Sequence, residues 1–176
     1  PKEIIDTRPY TKELDNFLTN NGKGNTNFSN LPRKWNTAVA GSPNNFLLHN
    51  DLVFITTFNR DLMGFSIWIG GILSSQLNAY AVPLDAWIET KDLCKLTSII
   101  LSIWRDNGER DKRTKGRFRM FLDQFGVEEF RIKVEENFGP LERDKCSTKL
   151  KKPQSLFGIN PQKQNQTYYA GLHVPV

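Results

Sequence analysis

Two apolar periodicities divide this sequence near residue 90, and together they restrict it to a mixed architecture. Before that point, residues 34–40, 52–58 and 65–69 are rich in β-branched and aromatic side chains and are separated by turn-formers, which predicts three strands. After it, residues 93–104, 118–125 and 127–138 repeat apolar residues at helical spacing. The expected class is α+β, with short connections that favour antiparallel neighbours in the sheet. Upstream, Leu14, Phe17 and Leu18 predict a short amphipathic helix over 11–18, with Thr11 as its N-cap and an Asn- and Gly-rich loop after it. Gly126, flanked by helical pattern on both sides, is read as a glycine closing one helix before the next. Residues 139–166 are polar and Lys-rich, with Pro140, Pro153 and Pro161, and read as a linker before a strand that begins near Tyr168. The expected organisation is therefore a unit over 1–138, a linker over 139–166 and the start of a second unit over 167–176.

A chain of 176 residues can bury roughly two thirds of its unfolded surface, so size is no obstacle to a core. No apolar run approaches the roughly 18 residues of a membrane helix. The formal net charge of +5 favours acidic partners. It does not suggest nucleic acid, because no RNP motif, zinc-finger spacing or basic heptad accompanies it. Cys94 and Cys146 lie far apart without CxxC spacing, which excludes a cysteine metal site or a disulfide framework. The chain opens on Pro1 and stops on the alternating apolar stretch 172–176, so it is expected to be an internal piece of a longer protein.

Three stretches carry candidate chemistry. Residues 30–36, Asn-Leu-Pro-Arg-Lys-Trp-Asn, lead into the first strand. If the strand starts by Lys34, alternation puts Lys34 and Asn36 on one face, with Arg33 and Trp35 on the other. An ammonium beside a carboxamide suits a small anion, although the same face could simply be solvated. Gly70-Gly71 follows an apolar strand, where a missing side chain permits close approach to a flat ligand or serves a tight turn. Residues 105–119 are rich in arginine, and Arg113 and Arg117, read as one helical turn apart, could clamp carboxylates or form a solvated helix face. His49, His173 and the serines have no partners in a catalytic spacing.

Several linked motifs resemble the ferredoxin-dependent nitrite reductases, within the wider nitrite and sulfite reductase family. They are Asp6-Thr7-Arg8-Pro9, residues 30–36, Gly64-Phe65 with Gly70-Gly71 and Ser74, residues 82–87, Arg105-Asp106 before Asn107-Gly108, and residues 160–164 before 171–176. The resemblance covers nearly the whole chain. It implies an antiparallel sheet with helices that forms the first catalytic half-domain of a two-lobed α+β enzyme, followed by the start of a second, ferredoxin-like half-domain. It also implies siroheme and a [4Fe-4S] cluster as cofactors, ferredoxin as electron donor and nitrite as substrate. Lys34 and Asn36 would contact the nitrite, and Arg33 would contact a siroheme carboxylate. The Gly70 and Gly71 backbone and the Arg113 and Arg117 side chains would add further cofactor contacts. The expected protein is a monomer of the chloroplast stroma or the bacterial cytoplasm, without nucleic-acid or membrane partners. Two departures stand out: the family's CxxxxxC and CxxxC cluster ligands are absent from this stretch, and Gln76-Leu77 and Lys112 replace expected residue types. The sulfite reductases of the family typically carry a second lysine where this chain has Asn36. A noncatalytic basic binding module is the reading from another class.

Overall fold

The computed structural model describes residues 3–42, 47–75, 77–145, 157–162 and 164–172. Its element order is α1 (Arg8–Thr19), β1 (Thr37–Ala40), β2 (Leu52–Asn59), β3 (Leu62–Ile69), β4 (Ile72–Leu73), β5 (Asn78–Ala79), β6 (Val82–Glu89), α2 (Leu93–Asn107), α3 (Phe118–Phe125), α4 (Val127–Phe138), β7 (Gly158–Pro161) and β8 (Tyr168–Gly171). The α+β class is as expected. Both α3 and α4 have the bounds that the apolar spacing predicts, and Gly126 separates them at φ +90°, a conformation that costs glycine little.

The main sheet has the order β1-β2-β3-β6. It is mixed rather than antiparallel throughout, because β1 runs parallel to β2 while β2–β3 and β3–β6 are antiparallel. β1 and β2 therefore do not make a hairpin despite the few residues between them: they start side by side, with Thr37 opposite Leu52. β6 is an edge strand, and Pro83 sits there beside a register shift between Ser66 and Trp68, where a missing N–H breaks no inner ladder.

One sheet face supplies Leu52, Phe54, Phe65, Ile67, Ile69 and Leu84 to a core shared with Ile100 and Trp104 of α2, Phe118 and Leu122 of α3, and Phe130 of α4. Each such side chain contributes about 1.5–3 kcal/mol on full burial. The other face carries a smaller cluster around Ala40, Val53, Ile55 and Leu48, against which Trp68 packs.

The stretch read as a linker begins with packed residues. Leu141 is buried, its carbonyl accepts from Arg131 Nη2 at 2.9 Å, and Trp87 N donates to Glu142 O at 2.8 Å. It also contains β7, which pairs with β8 in a separate two-stranded sheet. The strand near Tyr168 is present as β8. Cys146 and His173 lie outside the described residues. Among the described residues no helix is long and apolar enough to cross a membrane.

Candidate oxyanion site

β1 begins at Thr37, three residues later than the sequence suggests, because the segment before it is held by side chains instead of a ladder. Arg105 Nη1 donates to Asn27 O at 2.8 Å. Arg110 donates to Asn30 Oδ1 at 3.0 Å and to Asn30 O at 2.8 Å. These two arginines of the basic stretch are therefore clasps on the approach to Lys34, not a solvated face. Pro32 lies against Gly108 and Gly116, where a Cβ would stand 2.7 Å from Pro32 Cγ and 3.4 Å from Pro32 O respectively. Trp35 anchors the segment inward, with ring centroids 5.4 Å from Trp104 and 5.0 Å from Phe118, and its Nε1 donates to Thr37 Oγ1 at 2.6 Å. Lys34 and Asn36, on either side of that anchor, are both exposed, in keeping with the expected alternation.

Behind them lies Asp51, fully buried at the head of β2. Asp51 Oδ2 accepts from Asn36 N at 2.9 Å, and Asp51 Oδ1 accepts from Arg117 Nη2 at 3.2 Å. The Asp51 carbonyl accepts from Gly70 N at 2.8 Å, and Leu52 N donates to Asn36 O at 3.2 Å. Burial pushes the Asp51 carboxyl above the usual range, opposed by the Arg117 guanidinium, the Asn36 N–H and the charge of Lys34. The sequence reading missed Asp51. Its signal was an acidic residue placed directly before the apolar run Leu52-Val53-Phe54-Ile55, which needs a partner once buried.

Two expectations need correction. Arg113 and Arg117 are not one helical turn apart: Arg113 lies in an exposed turn and Arg117, with extended backbone, caps α3. Arg117 is buried against Asp51, so the pair forms no clamp. Gly71 does not offer its open side to a flat ligand, because a Cβ there would stand 2.1 Å from Leu48 O and 2.4 Å from Asn50 O, both backbone of the chain itself. Gly70 has φ +78°, and its missing Cβ leaves room for Leu122. Its carbonyl accepts from Arg119 Nη1 at 3.3 Å.

Donors remain available for an anionic group. Arg33 is half-buried and Lys34 exposed, and among the described residues neither forms a salt bridge. Arg117 Nε is buried with no hydrogen-bond partner among them. The half-buried Arg33 guanidinium, the exposed Lys34 ammonium and the exposed Asn36 carboxamide have the donor chemistry for a ligand bearing carboxylates and for an oxyanion. No cluster of His, Cys, Asp or Glu with metal-holding geometry occurs among the described residues. Burial and nearby Glu13 push the Cys94 thiol up to about 11. Almost no thiolate then exists near neutrality, so Cys94 is expected to remain unmodified by iodoacetamide at pH 7.5 in the folded protein, as read by mass spectrometry.

The description of the nitrite and sulphite reductase 4Fe-4S domain matches residues 1–140. The chain belongs to this family. Its relatives include the chloroplastic ferredoxin–nitrite reductase of Arabidopsis thaliana, 41% identical over 184 residues that cover 100% of this chain and 31% of that protein. The ferredoxin–nitrite reductase of Synechococcus elongatus is 39% identical, covering 99% of this chain and 35% of its own length. A ferredoxin sulfite reductase of Mycolicibacterium paratuberculosis is 28% identical over 77% of this chain. The structure of the Mycobacterium tuberculosis NirA protein superposes with a TM-score of 0.76 at 27% identity, covering 92% of this chain and 29% of that one. The chain thus spans about a third of the length of the curated nitrite reductases it matches.

Proposed function

We propose that this chain forms the oxyanion-binding part of an assimilatory nitrite reductase, which reduces nitrite to ammonium with ferredoxin as electron donor. The observation that carries the reading is the presentation of Lys34 and Asn36 together, exposed on a segment pinned by Trp35 and Asp51, in a chain 41% identical to a ferredoxin–nitrite reductase. Siroheme, coupled to a [4Fe-4S] cluster whose ligands lie elsewhere, would supply the redox chemistry when bound. Lys34 contributes positive charge where oxygen departs and a proton at Nζ, while the Asn36 carboxamide orients the anion without adding charge. Arg33 is the first choice for a macrocycle carboxylate and Arg113 can add charge from its exposed turn, whereas Arg117 is committed to Asp51 and serves the site from behind. Gly70 and Gly71 belong to the supporting backbone. In this reading the body of the chain is the first catalytic half-domain, and β8 stands at the start of the second ferredoxin-like one. The protein would act as a monomer in the chloroplast stroma or, alternatively, the bacterial cytoplasm.

Asn36 favours nitrite over sulfite, because sulfite carries more charge at neutral pH and a second cation would suit it better. The direct test is ammonium formation from nitrite by the intact, siroheme-loaded protein with reduced ferredoxin. No ammonium under those conditions would defeat the reading. Asn36→Lys is expected to move the ratio of nitrite to sulfite turnover toward sulfite by roughly tenfold or more, the scale of one added charge contact. An unmoved ratio would take Asn36 out of substrate selection.

A further inference from the structure

We propose that Asp51 is a positioning residue for the oxyanion site, holding the backbone of Asn36 so that the Lys34 and Asn36 side chains keep one fixed direction. This rests on the nitrite reading for its chemical meaning, but the mechanical claim stands on its own geometry. Three separate pieces of chain meet at this one buried residue. Asn36 N donates to its carboxylate at 2.9 Å, Arg117 Nη2 at the start of α3 donates at 3.2 Å, and Gly70 N donates to its carbonyl at 2.8 Å. The Asn36 carbonyl accepts from Leu52 N, so both backbone polar groups of Asn36 are fixed by the consecutive residues Asp51 and Leu52 at the start of β2. The segment has no strand of its own before Thr37; Arg105, Arg110 and Pro32 hold its approach, while at Asn36 itself the backbone bonds are those to Asp51 and Leu52. Stability alone does not account for the buried Asp51–Arg117 pair, since replacing both partners by apolar residues is often neutral. The placement of Asp51 is accounted for if it also sets position: it orients Asn36 and places a negative charge within the field of Lys34. Small displacements matter at such a site, where a misplacement of about 1 Å can cost roughly a hundredfold in rate.

The experiment is a double-variant cycle in the intact siroheme-loaded protein, comparing Asp51→Ala, Asn36→Ala and the two combined. The readouts are kcat and KM for nitrite per bound siroheme, together with hydrogen-exchange protection of the Asn36 amide. Asp51→Ala is expected to abolish that protection and lower kcat by roughly tenfold. Combined with Asn36→Ala, it should cost less than it does alone, because the share of its effect carried by the Asn36 side chain is already gone while the share carried by Lys34 remains. Equal factors in both backgrounds, with the Asn36 amide still protected, would overturn the proposal and leave Asp51 a structural residue. Where Asp51→Ala does not fold, Asp51→Leu with Arg117→Met removes the buried charges together. The Asn36 amide should again lose protection, and a fully protected amide there would overturn the proposal equally. If Asn36→Ala alone leaves nitrite turnover intact, it is the nitrite reading that falls, and amide exchange by itself decides whether Asp51 holds the segment.

Discussion

Replacing Lys34 with alanine in the intact, siroheme-loaded protein is expected to lower nitrite turnover by about two orders of magnitude, with siroheme content unchanged. The magnitude follows from removing one preorganised charged donor at a place where negative charge develops. Stability should move by no more than about 0.5 kcal/mol, because Lys34 is exposed and forms no salt bridge among the described residues. The fold at this point is held by Trp35, whose indole packs on Trp104 and Phe118, and the substitution leaves that anchor in place. Steady-state kinetics, the siroheme absorption spectrum and a thermal melt separate the two effects. Unchanged nitrite kinetics would remove Lys34 from the site.

The second large effect is on stability. Arg117→Met is expected to lower the unfolding free energy by about 3–5 kcal/mol, because it leaves the Asp51 carboxylate buried without its cation. Changing both partners, as Asp51→Leu with Arg117→Met, should recover most of that loss, since apolar replacement of a buried pair is often neutral. Denaturant midpoints read at constant m-value test both. The sign with pH follows from the carboxyl of Asp51, already raised by burial and raised further without Arg117. A group whose folded pKa exceeds its unfolded value costs stability above the folded pKa, and that cost disappears as pH falls through it. The deficit of Arg117→Met should therefore shrink on acidification. A deficit that is flat in pH would mean that the carboxylate is not what the substitution exposes.

Much of this architecture is legible in the residues, and the exceptions have physical causes. α3 and α4 are read correctly because apolar spacing and the positive-φ Gly126 point to the same boundary. β6 is absent from the predicted strands, and its Pro83 is tolerated because an edge position can lack an N–H. The parallel pairing of β1 with β2 escapes because a short connection usually makes a hairpin. At the site, the alternation of Lys34, Trp35 and Asn36 is local and visible. The pairing of Arg117 with Asp51 spans 66 positions and is not. Reading Arg113 and Arg117 as helix neighbours fails because the chain turns at 113–115 and α3 begins only at Phe118. The clasps from Arg105 and Arg110 show why a charge-rich stretch cannot be assigned to solvent by composition: their targets are backbone carbonyls and an amide on a distant loop.

The parallel seating of β1 has a bearing on how the molecule acquires its chemistry. β2 and β3 are joined by the two-residue turn Arg60-Asp61 and can zip together locally, whereas the parallel pairing of β1 with β2 sets Thr37 opposite Leu52 and needs a longer closure. Such an order makes β1, and with it the segment bearing Lys34 and Asn36 directly before it, later to dock than the β2–β3 hairpin. A refolding chain would then form the β2–β3 hairpin before it is competent, and binding of anion during refolding would appear together with the packing of Trp35 on Trp104 and Phe118.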